Sequence, residues 1–599
     1  MCIRDRRNKD GEMKMTSFDL LIKNGSVIDG SGRAMFKADV GIAKGKVAQI
    51  GKLEGSSADR VIDAKGLFVA PGVVDCHSHS DWSILVHPNG DSKVMQGVTT
   101  ELGGLCGYAC APLPTDEWWR LLYVRMTVGW SMHYSAAAYN SWPLPYGRQV
   151  DVDWHTMGEY LDKVEETRIG LNYAMLFGHG AIRYWIMGLE ARPADEEDMS
   201  RMKEMADQAL RDGAFGMSAG LSGCPGCWAS TEELIELCRV VARHDGVYMP
   251  HMRMGPLNVS VRESVRIAEE AGVRTCMSHT SLHDAKIRKM VDDARGRGVD
   301  ITFDYESYAA GIAGNIVGML PHWLSRRRDE GFDWIIEQLK KPEVRKRFME
   351  KDYRRWLEQS RSIPGTYEHK IPEGKTPQPR WATMQVQKVW TTKNRKYLGK
   401  TFKEIADERG VDPWTAWFDI VCDERGYARW ASPHLPVPDM ASALSPSYML
   451  NNTDFEEELK VPYGCLESDG PIESPRGVTV TSVDPRSYGT FPLALWYVRE
   501  KKAISWEEAI KRMTSNPAEV LAIRDRGLLR EGFWADVMVF DPETIAHKAD
   551  VRNSFELSQG INHDIYPEGI KYVLVNGEIV VEKGKLTNTM SGQVLRHNK

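Results

Sequence analysis

The sequence predicts an α/β fold: a (β/α)8 TIM-like barrel with a small discontinuous β-sandwich domain formed by the N- and C-terminal segments. Three observations predict it. Through the middle of the chain, eight short apolar runs, each closing on a polar residue, alternate with amphipathic helix-like stretches, as in βαβ units around a parallel sheet. Both ends read instead as short strands around Asn-Gly pairs. The 599 residues exceed the ~250–300 that one core usually organises, which leaves material for a second domain.

Taken in order, the segment MCIRDRRNKDGEMK is charged throughout and lacks the apolar stretch of a signal peptide. Residues 1–17 are therefore expected to be a disordered or non-native segment, with Met13 or Met15 as the natural start. Residues 18–70 form the first half of the β-sandwich domain, with a hairpin expected at Asn24-Gly25 because both residues tolerate positive φ. Residues 71–524 form the barrel. Its eight strands are VVDCHSH (73–79), TTELGG (99–104), NYAMLFGHG (172–180), AFGMSAG (214–220), VYMPHMR (247–253), RTCMSH (274–279), ITFDYESY (301–308) and YGCLESD (463–469). Two insertions interrupt them, at about 107–171, rich in Trp and Tyr, and at about 309–462, helical, basic and Trp-rich. Loops of that length either cover a pocket or form a packed surface subdomain or a homo-oligomer contact. Residues 525–599 complete the sandwich, alternating around Asn576-Gly577.

Composition narrows the function. Lysine and arginine number 77 against 83 acidic residues, a net charge of −6. That balance gives no electrostatic reason for a nucleic-acid or anionic-membrane partner. No apolar run reaches the ~18–20 residues that span a bilayer. Ten cysteines are too few for a disulfide scaffold. A reduced, cytoplasmic protein is expected. The pair Cys224 and Cys227 reads as loop or packing residues, since a lone C-x-x-C is a weak metal or redox signal.

The chemistry sits at strand ends. His77 and His79 are two apart on a strand, so their imidazoles share a face. Alone, that pair is a modest signal and is usually a core or surface feature. But His251, His279 and Asp469 also close their strands, and Cys106 follows the second. In a (β/α)8 barrel the C-terminal strand ends form one rim, so six donors scattered along the chain converge there. Imidazole, thiolate and carboxylate are metal ligands, which points to a metal site.

Here the chain resembles a known family. LIKNGSVIDGSG through APGVVDCHSHSD is similar to the opening of the amidohydrolase superfamily. QGVTTELGGLCGYACAP, GHGAIR, HMR, ITFDYESY, SDG, PRSYGTF and NPAEVLAIRDRGLLREGFWADVMVFDP resemble the N-acyl-D-amino-acid deacylases, or D-aminoacylases, over about 18–596. The resemblance implies one metal pocket from His77, His79 and Asp469, and a tighter one from Cys106, His251 and His279. It implies one or two Zn2+ per chain, a small-molecule N-acyl amino acid as substrate, and hydrolysis of its amide by zinc-activated water. Asp469 is the expected general base and then acid. Many superfamily members bridge two metals with a carboxylated lysine on the fourth strand, but AFGMSAG offers none and Cys106 matches the D-aminoacylase ligand.

For the substrate carboxylate the resemblance points first to Arg486. Arg253 and Arg183 are further candidates whose alternative is a barrel-rim ion pair, and Tyr308, Ser307 and His179 are candidate hydrogen-bonding groups. Three positions depart from the family pattern. Gly223 stands where a tyrosine is usual, SHTSL replaces SHLK, and Glu306, Ser307 and Tyr308 replace YPY. Each alters the substrate wall and spares the ligands. The competing readings are a cyclic amidase of the hydantoinase or dihydroorotase type and a non-catalytic amidohydrolase-like scaffold.

Overall fold

The structure is a computed structural model. It describes residues 17–597 except 118, 121–122, 124–151, 224, 309, 315–319, 326–330, 363–367, 369, 372–377, 380, 390, 427, 434–452, 476–483 and 550–563. The N-terminal segment, most of the Trp/Tyr-rich stretch and Cys224 thus lie outside the described residues.

All eight expected barrel strands form. Val73–Asp75, Val98–Gly103 and Asn172–Met175 make a parallel three-stranded sheet. Phe177–Gly178, Gly216–Gly220, Val247–His251, Arg274–Met277, Ile301–Glu306 and Gly464–Glu467 make a parallel six-stranded one. Only Leu176 separates the two parts of the third strand. The eighth strand returns to the first through a parallel bridge, Ser78 to Gly470. Strand order therefore follows chain order around a closed circuit. The strands are almost wholly buried, as parallel strands covered by helices must be.

The helices between strands follow from local signals. Asp195 caps Glu196–Asp212 with a capping box to Asp198, and Met202, Ala206, Ala209 and Leu210 repeat at helical spacing on its buried face. Ser230 caps Thr231–Arg243 by accepting from Glu233 N–H, and Asp284 caps Ala285–Gly296 by accepting from Lys286 and Ile287 N–H.

Both termini enter one nine-stranded sheet, joined where Phe68–Pro71 pairs antiparallel with Val537–Phe540. Val27, Val40, Ile42, Val69, Val537, Val539 and Leu574 form its own apolar cluster. Asn576-Gly577 makes the expected two-residue hairpin, with φ of 51° and 83°. Asn24-Gly25 does not. Ser17–Val27 runs through it as one strand with a bulge, Asn24 at φ 64°, and the turn falls at Lys44-Gly45 instead. Asn24 is held there by its backbone N–H to Asp39 Oδ1 (2.9 Å) and its side chain to Asp63 Oδ1 (2.8 Å), on the two strands flanking it.

The second insertion holds a three-stranded antiparallel sheet and helices around an aromatic core that includes Phe348, Trp381, Phe402, Trp414, Trp417 and Trp430. It touches the barrel beyond the fourth strand, where Trp228 Nε1 donates to Gln359 Oε1 at 2.8 Å. Among the described residues no helix is long and apolar enough to cross a membrane.

Candidate metal centre

Parallel strands present alternate residues inward, so Asp75, His77 and His79 face one side, as do Asp304 with Glu306 and Glu467 with Asp469. All six expected donors meet at the C-terminal rim. Cys106 Sγ lies 3.4 Å from His77 Nε2, 3.5 Å from His251 Nδ1 and 3.5 Å from His279 Nε2. Tetrahedral donors at usual Zn–S and Zn–N lengths stand about 3.6 Å apart, so the spacing suits zinc. Asp469 Oδ1 lies 3.0 Å from His79 Nε2, 3.6 Å from His77 Nε2 and 3.8 Å from His279 Nε2, yet it is buried and receives no aligned hydrogen bond. A buried carboxylate oxygen ringed by imidazole nitrogens without an aligned donor is satisfied by a shared cation. The residues therefore fit a metal, as three donors around Cys106 and three around Asp469.

Cys106, His279 and Asp469 all adopt positive φ, 52°, 51° and 47°. For non-glycine residues that costs roughly 1–3 kcal/mol each and persists only where surroundings enforce it. Here they do. His279 N–H donates to Asp304 Oδ1 (2.7 Å) and Asp469 N–H to the His77 carbonyl (3.0 Å). At Gly220, on the fourth strand, a Cβ would stand 2.1 Å from the Cys106 carbonyl oxygen. The absence of a side chain there lets the Cys106 loop pack directly against the fourth strand.

Two carboxylates outside the expected set complete the floor. Asp304 Oδ2 lies 3.2 Å from His77 Nδ1, and Glu467 Oε1 lies 3.2 Å from His279 Nδ1. An Nδ1–H donated to each carboxylate leaves both Nε2 lone pairs facing the site. The signal that finds them is the two-residue strand period, one step below a ligand or a rim carboxylate. Electrostatics agree with a polar cluster. Burial opposes ionisation of Cys106, yet His77, His251 and His279 hold its thiol well below the ordinary range. Burial likewise opposes the Asp469 anion, but Arg486, His279 and His79 hold its carboxyl well below the carboxylate range. Burial pushes Glu467 up to about 8.

The expected substrate groups divide. Arg486 bonds Asp469 Oδ2 directly, donates to Glu306 Oε2 at 2.9 Å and forks onto Asp484. Arg183 and Arg253 are engaged inside the barrel wall instead. Arg183 pairs with Glu233 (2.6 Å), which also holds His179 Nε2 (2.8 Å), and Arg253 pairs with Glu263 (3.1 Å) and with the carbonyls of Cys227 and Ala229. That is the ion-pair alternative named above, and its cause is burial: a guanidinium with no exposed side-chain surface needs a carboxylate. Tyr308 donates to the Ala549 carbonyl (2.8 Å) and Ser307 to the Thr490 carbonyl (3.2 Å).

The Glu233 cluster gives a stability prediction. Burial raises the Glu233 pKa, but His179 and Arg183 outweigh it and hold the carboxyl at about 2. A depressed carboxylate stabilises the fold above its unfolded value near 4.5. That contribution, on the order of 3 kcal/mol at most, is lost as pH falls from there toward 2. Glu233→Gln, measured by urea unfolding, should remove a similar amount at pH 7 and flatten this limb.

Comparisons place these features among known proteins. A family model described as "Amidohydrolase family" matches residues 476–581. A D-aminoacylase from Alcaligenes xylosoxydans xylosoxydans is 27% identical over 591 residues, covering 96% of this chain and 97% of its own. The crystal structure of a D-aminoacylase superposes with TM-score 0.68 at 26% identity, over 97% of this chain and 100% of that one. An N-acyl-D-glutamate deacylase from Bordetella bronchiseptica, solved with zinc and a phosphonate mimic of the tetrahedral intermediate, superposes with TM-score 0.67 at 25% identity, again over 97% and 100%.

Proposed function

We propose that this chain, which belongs to the amidohydrolase superfamily and within it to the D-aminoacylase family, is a zinc-dependent hydrolase. It cleaves the amide bond of N-acyl-D-amino acids or closely related N-acyl compounds, releasing a carboxylate and a free amine. The observation that carries the reading is the meeting of Cys106, His251 and His279 with His77, His79 and Asp469 at one rim, in overlapping groups whose donor atoms lie within 4.8 Å of one another. Full-length likeness to linear-amide deacylases supports it over a cyclic amidase. Retention of all six donors supports catalysis over a scaffold role.

Cys106, His251 and His279 would hold one ion, and His77, His79 and Asp469 a second. When bound, zinc supplies Lewis acidity to the amide carbonyl and an activated water at neutral pH. The chain does the rest. Asp304 and Glu467 fix the His77 and His279 rings through Nδ1. Arg486 grips Asp469 Oδ2 and leaves Oδ1 turned to the histidines. Asp469 takes a proton from the attacking water and delivers it to the departing nitrogen, which is a poor leaving group until protonated. Of the three arginines, Arg486 alone touches Asp469 and is the candidate for the substrate carboxylate, for which it would exchange its bond to Glu306. Arg183, His179 and Arg253 support the wall from behind, and Tyr308 and Ser307 tether the seventh-strand loop.

The same reading takes 18–70 with 525–599 as one β domain on a 71–524 barrel, supported by the Phe68–Pro71 to Val537–Phe540 pairing. A reducing, cytoplasmic setting accords with eight buried free thiols among the described residues.

The test is a mass-spectrometric screen of N-acetyl, N-formyl and longer N-acyl D- and L-amino acids with zinc-loaded protein. The D-series should be hydrolysed, the purified protein should carry about one to two zinc per chain, and a chelator should abolish turnover. Metal-free, fully folded protein that hydrolyses none of the panel would refute the reading.

A further inference from the structure

The barrel has a weak seam, and it lies beside the reacting carboxylate. The eighth strand pairs with the seventh over four residues, Phe303 to Glu306 against Gly464 to Glu467. Toward the first strand it makes only the Ser78–Gly470 bridge and the Asp469 N–H bond to the His77 carbonyl. A backbone held by so little ladder would leave Asp469, already at φ 47°, free to relax.

Side chains close that gap. Lys93 lies in the short helix Asp91–Val94 with none of its side-chain surface exposed. Its Nζ donates to Asp75 Oδ2 (2.7 Å), Ser468 Oγ (2.6 Å) and the Gly470 carbonyl (2.7 Å), and pairs with Glu101 at 3.2 Å. Those three bonds use all three ammonium protons. Asp75 in turn accepts from Ser468 N–H (3.1 Å) and Ser468 Oγ (2.6 Å), and Ser468 Oγ accepts from Gly470 N–H (3.1 Å). The cluster therefore grips both neighbours of Asp469. It also grips Asp75, which shares its strand face with His77 and His79.

We infer that Lys93 is a positioning residue for catalysis, its buried ammonium stitching the first and eighth strands so that Asp469 is held against His77 and His79. The inference rests on the role given to Asp469 above. Desolvation makes a buried ammonium costly unless every proton is matched, and here Asp75, Ser468 and Gly470 match them, with Glu101 close by. A misplacement of ~1 Å at a reacting group costs on the order of 100-fold in rate, and loss of groups that orient ligands weakens metal binding by roughly 10–100-fold.

The test uses the full-length protein and compares Lys93→Met, Ser468→Ala and Asn516→Ala. Asn516 Nδ2 donates to the Pro462 and Gly464 carbonyls (3.0 and 2.9 Å) at the far end of the same eighth strand. Its loss should therefore lower Tm without disturbing Asp469. Lys93→Met should lower kcat about 100-fold with KM within about threefold. Ser468→Ala, which changes no charge, should lower kcat about 10-fold and weaken the zinc pocket by roughly 10-fold or more in a competitive chelator titration. Asn516→Ala should lose Tm and keep both. The inference is overturned if Asn516→Ala, at equal loss of Tm, loses kcat and zinc as the other two do, or if Lys93→Met and Ser468→Ala retain both. Should Lys93→Met fail to fold, Ser468→Ala decides. If the native protein hydrolyses no N-acyl amino acid, the functional reading falls and the zinc titration alone judges the positioning role.

Discussion

Replacing Cys106 with alanine is expected to leave a folded chain that binds zinc poorly and turns over substrate at least ~1,000-fold more slowly, equivalent to about 4 kcal/mol of transition-state stabilisation. The thiol stands 3.4–3.5 Å from nitrogens of three histidines and is the sole sulfur donor of the group. As a thiolate it brings a negative charge and a soft, strongly donating bond that no imidazole replaces. Alanine is a fair probe because it accepts positive φ no better than cysteine, so backbone strain at 52° is the same in both proteins. Serine should fare little better, since a hydroxyl stays protonated where the thiol does not. Zinc content by mass spectrometry and kcat/KM read the result. Full zinc occupancy with native turnover in Cys106→Ala would remove this residue from the site.

Asp469→Asn is the second large effect. The substitution keeps the shape, leaves one oxygen where Arg486 and the histidines each face one, and cannot carry a proton between water and amine. General acid–base assistance contributes roughly 100- to 10,000-fold, and kcat should fall by that factor with little change in KM. The fold should survive, because Arg486 keeps its fork on Asp484 and its bond to Glu306. The measurement is steady-state kinetics beside thermal unfolding. A KM rise at constant kcat would instead make Asp469 a binding residue and move the proton shuttle elsewhere.

These effects were foreseeable to different degrees. All eight barrel strands and the six donors at their ends could be read in advance, because a buried parallel strand is a continuous apolar run and its last polar residue marks the rim. Asp304 and Glu467 hid inside such runs, where a carboxylate looks like a strand residue until the histidine above it is placed. Lys93 sat in an unremarkable Asp-Ser-Lys-Val stretch, and its three acceptors lie 18, 375 and 377 residues away. Arg183 and Arg253 could be read as facing a ligand or a carboxylate, and the fold packs Glu233 and Glu263 beside them. Asn24-Gly25 carried the local preference for a turn, but pairing on both sides made it a bulge.

The chain by itself determined the alternation of strands and helices, the Asn576-Gly577 hairpin and the residue types at each strand end, since all follow from periodicity and backbone preference within a few residues. The tertiary structure alone decided which imidazole nitrogen faces inward, which arginine is already paired and what holds Asp469 in a left-handed conformation. Those depend on contacts between residues tens to hundreds of positions apart, whose geometry no local pattern encodes.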